Sequence, residues 1–350
     1  MRRLLPLLLA AAAAARPAGA SGYGLGPPAA AFSEEPGRFG LTEENAAAHA
    51  PTATEKPPGA AGPKPAPPAP KLFDRKTTLF TAGVLVLMPV VGYLTWWHDD
   101  TNGKFHTVDE GWFGEETYTG GADKASHITF AYMVTLGFQS AYRALGKTPA
   151  QSRALAFGLT TAAGLIEEVG DGFSKYGFSW QDVAANTLGA GLATAVDAYG
   201  LRDTVVLRFG NVPNTIPPPC CRYPGFGGDY SNQIYTADLL MSGFLPRVGA
   251  KPGIARFFLA GMTYSSKGYR HSPPENRQRQ LGFEIGLNLP EILRAVGVRD
   301  TTWWGKALLV LFKYYRVPYT AFGWQVDLNT GTWYGPNTGG SYDPGYVIYD

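Results

Sequence analysis

The stretch 120–191 most constrains what this chain can fold into, because its weakly polar, Ala/Gly-rich segments carry polar pairs at helical spacing. Asp123 and His127 are four residues apart, Glu168 and Asp171 three, Asp182 and Asn186 four. Residues at those separations share one helix face. The spacing therefore predicts three helices that turn six polar side chains into a common seam. The first is expected over about 123–145 and the second over about 150–169. Pro149 suits the first turn of the second helix. Ser179 opens a Ser-x-x-Asp start with Asp182, so it is expected to cap the third, which ends by Gly200. Gly158 and Gly164 are expected to allow a close neighbour, and the third helix carries Gly189 and Gly191.

Two chemistries are open to such a seam. Asp123, His127, Glu168, Asp171 and Asp182 are ligand types for a divalent metal, which between helices could activate water for ester hydrolysis. Without metal, Glu168 or Asp171 raised in pKa beside His127 would suit acid–base work. The structural alternative uses the same residues. Asp123 caps the first helix, Lys124 reaches a carboxylate and Asp182 completes a capping box. Asn186 then bonds across a helix interface, and His127 is a satisfied core histidine. No His-Glu-x-x-His or cysteine spacing selects the metal.

The flanks set the address. A net charge of +2 gives no bulk argument for nucleic acid. Charged residues at 17% beside 44 glycines suit close helix packing at or in a membrane. Residues 1–20 combine Arg2-Arg3, an apolar core and Ala18-Gly19-Ala20, the parts of a secretory signal peptide. Residues 21–71 are rich in Pro and Ala and read as an extended linker. The run 77–97 is uncharged, contains Pro89 and closes on Trp96 and Trp97, long enough to span a bilayer. Arg75 and Lys76 before it and Asp99 and Asp100 after it favour a cytoplasmic start, which a cleaved signal peptide opposes. Its orientation stays open. Cys220 and Cys221 are neighbours without zinc-site spacing and read as free or intermolecularly linked thiols.

Beyond Gly200 the pattern predicts a loop over 211–228, a helix over 235–244 and strands over 255–265 and 280–289. A basic loop over 267–279 holds Lys267, Arg270, His271, Arg277 and Arg279, either solvated or on anionic headgroups. Pro290 starts a short helix, Trp303 and Trp304 suit an interfacial anchor or ordinary core, and 319–333 reads as strand and turn. Gly282 and Gly286 mark a strand bend, and Asp109 and Glu110 read as solvated. The fold class expected is mainly α: a Gly/Ala-rich helical bundle over 72–200, then a smaller α/β region over 201–350.

Three runs carry a family resemblance: Asp123-Lys124-Ala125-Ser126-His127, Glu168-Val169-Gly170-Asp171, and Phe178-Ser179-Trp180-Gln181-Asp182. In order and spacing they resemble the YfiM-like predicted periplasmic lipoproteins, a domain of unknown function. The run from Asp182 through Asn186 to Gly189 is more faintly similar to VanZ-like membrane proteins. The resemblance implies an envelope location and no assigned activity; with the signal peptide and the apolar run 77–97, the expectation is an exported, membrane-associated protein, periplasmic side favoured. It departs from the lipoprotein pattern in lacking a cysteine for acylation near Ala20 and in continuing far past Gly200. Membrane lipid is the expected partner, and no protein partner is indicated. The functional expectations are a membrane-associated scaffold or lipid-interacting module, or a metal-assisted hydrolase or transferase on a lipid or cell-wall precursor.

Overall fold

The computed structural model describes residues 71–98, 101, 103–211, 230–231, 233–269 and 274–337. All of them belong to one compact unit. The expected signal peptide 1–20, the linker except Lys71, Asp99, Asp100, Cys220, Cys221, Arg270 and His271 lie outside the described residues.

Helix α1 (Arg75–Gly92) is capped by Asp74, whose carboxylate accepts from the Thr77 N–H at 2.9 Å. Lys147 holds the other Asp74 oxygen at 2.6 Å, which keeps that carboxyl low, at about 2. Pro89 is accommodated inside the helix, and a five-residue π turn, Tyr93–Trp97, extends it. The combined 23 residues are long and apolar enough to cross a membrane, with only 11% of the most apolar window buried. The buried Trp97 anchors its end, packing where a side chain on Gly170 would stand.

Helices α2 (Ala122–Ala144), α3 (Pro149–Gly172) and α4 (Trp180–Ala198) form where the polar spacing places them. Thr148 and Gln151 close a reciprocal capping box ahead of Pro149. The α2–α4 contact depends on Gly189, where a Cβ would lie 2.2 Å from the Ile128 carbonyl oxygen. Gly164 likewise leaves room for Asn186. Gly158 faces open space, so the expected close approach does not occur there.

The region after Gly200 is larger in sheet than expected. Strands β1 (Val205–Asn211), β2 (Gln233–Leu240), β3 (Phe258–Lys267), β4 (Gln278–Leu287), β5 (Tyr315–Arg316), β6 (Ala321–Asp327) and β7 (Trp333–Asn337) make one seven-stranded sheet. Its order is β5-β1-β2-β3-β4-β6-β7, antiparallel except for the β1–β5 pair. Short helices α5 (Met241–Arg247), α6 (Leu289–Ala295) and α7 (Trp303–Tyr314) join the strands. The helix expected over 235–244 is therefore strand to Leu240 and helix only after it.

The register makes the sheet inside-out. One cross-strand row runs Leu207, Ala237, Met262, Phe283, Trp324, and another Val205, Leu239, Ala260, Ile285, Phe322. The opposite face carries Arg208, Thr236, Thr263, Gly282, Gln325 and Val206, Asp238, Gly261, Glu284, Gly323. It is this second, polar face that is buried. Arg316 on β5 pairs with Glu284 on β4 through Nε at 2.9 Å and Nη2 at 2.7 Å. Four strand steps would separate them by about 19 Å in a flat sheet. The sheet must curl strongly, and Arg208, bonded to Asp238 at 2.6 Å and 3.5 Å from Glu284, completes the buried ion cluster. Gly261, Gly282 and Gly323 sit where a Cβ would strike the neighbouring strand or Asp238. Close packing, rather than the expected bend, explains Gly282. Helix α2 covers the apolar face over β1 and β2 and reaches Tyr264 on β3, setting Phe130 on Phe209 and Met133 near Val205 and Leu207.

Candidate functional site

Helix α2 begins after two left-handed glycines, Gly120 at φ 63° and Gly121 at φ 91°. Gly121 is its N-cap and offers no side chain. Asp123 does not cap this helix, contrary to one expectation. Its N–H donates to Thr119 Oγ1 at 3.1 Å, and its carboxylate turns to the ammonium of Lys124. Lys124 Nζ lies 2.7 Å from Asp123 Oδ2, 2.6 Å from Asp182 Oδ1 and 2.5 Å from Glu110 Oε2. The three donors of one ammonium are thereby all used. Its partners come from α2, α4 and the loop before α2, and the Lys124 side chain is 2% exposed. The side chain of Tyr230 donates to the other Asp123 oxygen.

His127 joins from the next turn. Its Nε2 is 3.6 Å from both Asp123 Oδ1 and Asp182 Oδ1, and its Nδ1 is 3.2 Å from Asn186 Oδ1. Both ring nitrogens thus face acceptors, which suits the imidazolium. Burial alone would lower its pKa, but Asp182 and Asp123 outweigh it and push it up to about 10. Burial works against the Asp123 carboxylate too, yet His127 and Lys124 hold it below its ordinary range. Lys124 is raised by the same carboxylates against its own burial.

Glu168 sits at the edge of this cluster. Its Oε2 accepts from the Ser179 N–H at 3.1 Å, while Oε1 is buried without a partner among the described residues. Burial pushes its carboxyl up to about 9, with His127 pulling the other way. A protonated Glu168 is the consistent state at neutral pH. Ser179 caps α4 as expected, accepting from the Asp182 N–H at 3.3 Å. Asp182 does not return the bond, since its carboxylate serves Lys124, so the expected capping box is only half formed. Asp171 lies apart from the Lys124 centre. It accepts from Trp97 Nε1 at 2.6 Å, tying α1 to α3, and burial pushes it up to about 7.

Glu110 corrects another expectation. Rather than standing in solvent, it contacts Lys124 and is 16% exposed. Burial, then Asp123 and Asp182, pushes it up to about 8 although Lys124 acts in the opposite sense. It is the outermost carboxylate on one ammonium, so it is the one that takes a proton first. Neither Tyr230 nor Trp97 was legible as a site residue, because no local spacing ties them to the helices they touch.

Asp123, His127 and Asp182 each bring one ligand atom within 4.8 Å of the others, a geometry able to hold a metal. Of the five expected ligands, Glu168 and Asp171 are directed elsewhere. Lys124 Nζ is already bonded to two of those three residues, through Asp123 Oδ2 and Asp182 Oδ1. The described cations of the basic loop are also engaged within the protein. Lys267 is buried at the end of β3, Arg277 stacks on Tyr269, and Arg279 donates to Asn329 at 2.6 Å. Trp303 and Trp304 are 72% and 46% exposed at the start of α7 rather than core.

Residues 109–198 match a family model described as predicted periplasmic lipoprotein (DUF2279), a domain of unknown function. No curated protein and no solved structure matches the chain. The matched span takes in Glu110, Asp123, Lys124, His127, Glu168, Asp182 and Asn186, and leaves out Tyr230 and the sheet. Its description fits an exported, membrane-associated envelope protein with the periplasmic side favoured.

Proposed function

We propose that this chain is a non-catalytic, membrane-associated envelope module whose seam locks three helices in one register. The observation that carries this reading is Lys124 Nζ, within 2.7 Å of three carboxylates from three different segments. The Lys124 ammonium and the His127 imidazolium balance the Asp123 and Asp182 carboxylates while Glu110 takes a proton, so the cluster reaches neutrality without any ligand. Membrane association rests on α1 and its π-turn extension, whose outward residues Leu79, Val86 and Leu94 are each more than 60% exposed. Extraction of fractionated cells tests that part. The chain is expected in the detergent extract and to resist high salt; release by salt alone contradicts it.

A second reading, metal-assisted hydrolysis or group transfer on a lipid or cell-wall precursor, is favoured by the 4.8 Å grouping of Asp123, His127 and Asp182. It requires a metal to displace the Lys124 ammonium. Loss of metal uptake on His127→Ala would support it, whereas loss of stability alone supports the lock.

A further inference from the structure

We propose that the uncovered part of the sheet's apolar face, on β3, β4 and β6, is a lipid-contact surface that meets bilayer acyl chains; the inference rests on the membrane association proposed above and names a second surface for it.

Along β3 and β4, Met262, Phe283 and Ile285 point away from the buried ion cluster, and they are 59%, 49% and 58% exposed. Phe322 on β6 continues the row from Ile285 and is 45% exposed. No charged side chain interrupts either apolar row. In water this arrangement is backwards, since the charges are inside and the large apolar groups outside. It is the alternation a strand adopts when hydrocarbon lies on its outer side.

Two further observations favour lipid over a protein partner. First, the same apolar face is already used within the fold, where α2 covers it over β1 and β2 through Phe130 and Met133. The bare portion continues that interface past Tyr264, which still packs against the start of α2, and begins on β3 at Met262. Second, β3 and β4 are ten residues each. That is the length of a strand matched to a hydrocarbon layer. Backbone groups of β3 and β4 are paired on both sides by β2 and β6, so contact with acyl chains strands no amide.

The test uses the full chain with Cys220→Ser and Cys221→Ser, spin-labelled at Met262→Cys, Ile285→Cys or, as control, Glu116→Cys. The Glu116 side chain is 89% exposed. Each labelled protein is mixed with phosphatidylethanolamine–phosphatidylglycerol vesicles, and label collisions with oxygen and with a water-soluble nickel chelate are compared. Labels at 262 and 285 are expected to become oxygen-accessible and nickel-shielded, while 116 stays open to nickel. A chain that binds vesicles with 262 and 285 as open to nickel as 116 overturns the inference and leaves membrane association standing. A chain that does not bind vesicles overturns both. Shielding at 262 without vesicles, with dipolar broadening between labels, overturns it in favour of a second copy. As an independent check, Ile285→Asp is expected to lower vesicle partitioning roughly tenfold or more with an unchanged circular dichroism spectrum, and unchanged partitioning counts against the inference.

Discussion

Lys124 Nζ is 2.6 Å from Asp182 Oδ1 although 58 positions separate the two residues. The ammonium thus ties the first turn of α2 to the first turn of α4, and its bond to Glu110 ties in the preceding loop as well. Removing one member of such a buried group leaves its partners charged and unpaired, a larger cost than the pair's net contribution. Lys124→Met is therefore expected to destabilise the chain by about 3–5 kcal/mol. Urea unfolding measures it, and a loss under about 1 kcal/mol, the range of an exposed ion pair, would contradict the lock.

The seam also predicts how stability follows pH. His127, Glu168, Glu110 and Asp171 all have folded pKa values above their ordinary ones, at about 10, 9, 8 and 7. In each case the folded chain binds the proton more tightly than the unfolded chain. The stability they contribute is present in full below the unfolded values and is lost as pH rises through the folded ones. Unfolding free energy is expected to fall steadily from about pH 5 to about pH 9. Glu168→Gln mimics the protonated carboxyl, so it should cost under about 1 kcal/mol at neutral pH and exceed the wild type in stability near the alkaline end. A wild type that gains stability with rising pH over that window would contradict these protonation states.

Two glycine substitutions separate close approach from helix propensity. At Gly137 nothing lies within 4 Å of an added Cβ, and Gly137→Ala is expected to stabilise α2 by about 0.5–1 kcal/mol. At Gly189 the added Cβ meets the Ile128 carbonyl oxygen. Overpacking there should outweigh the propensity gain and destabilise by about 1–3 kcal/mol. Thermal unfolding of the two variants checks the difference, and equal shifts would place the α2–α4 contact elsewhere.

In the sheet, Arg316→Met is expected to cost about 3–5 kcal/mol because Glu284 is left charged in the interior. Arg247→Met, which breaks an ion pair exposed on both sides, should cost under about 1 kcal/mol. A similar loss in both, read by urea unfolding, would mean that Arg316 is hydrated and the sheet less curled than the Arg316–Glu284 pair implies.

The helical half of the molecule was legible because its polar pairs recur at one helical turn against a quiet Ala/Gly background. Asp123, His127, Asp182 and Asn186 are brought together by α2 and α4, while Asp171 is drawn off to Trp97. Lys124 could be read only as reaching some carboxylate, since spacing says nothing of which residues close a loop from a distance. Glu110 was invisible as a site residue because it acts through a loop fold. The sheet was harder for a physical reason. Strand reading relies on polar residues facing water, and here Asp238, Thr236 and Glu284 face inward, so the pattern of β2 resembles a helix and β1 lacks the alternation of a half-buried strand. At Gly282 the spacing suggests a bend where the register instead demands a small residue.

The measurement that bears most directly on the ammonium lock is the metal content of the purified full chain, prepared without chelator and read by elemental analysis. With Lys124 holding Asp123, Asp182 and Glu110, no divalent ion is expected at stoichiometric level, and Lys124→Met should be the variant that acquires one. One tightly held ion per wild-type chain, lost on His127→Ala, would contradict the account and give the site to the metal.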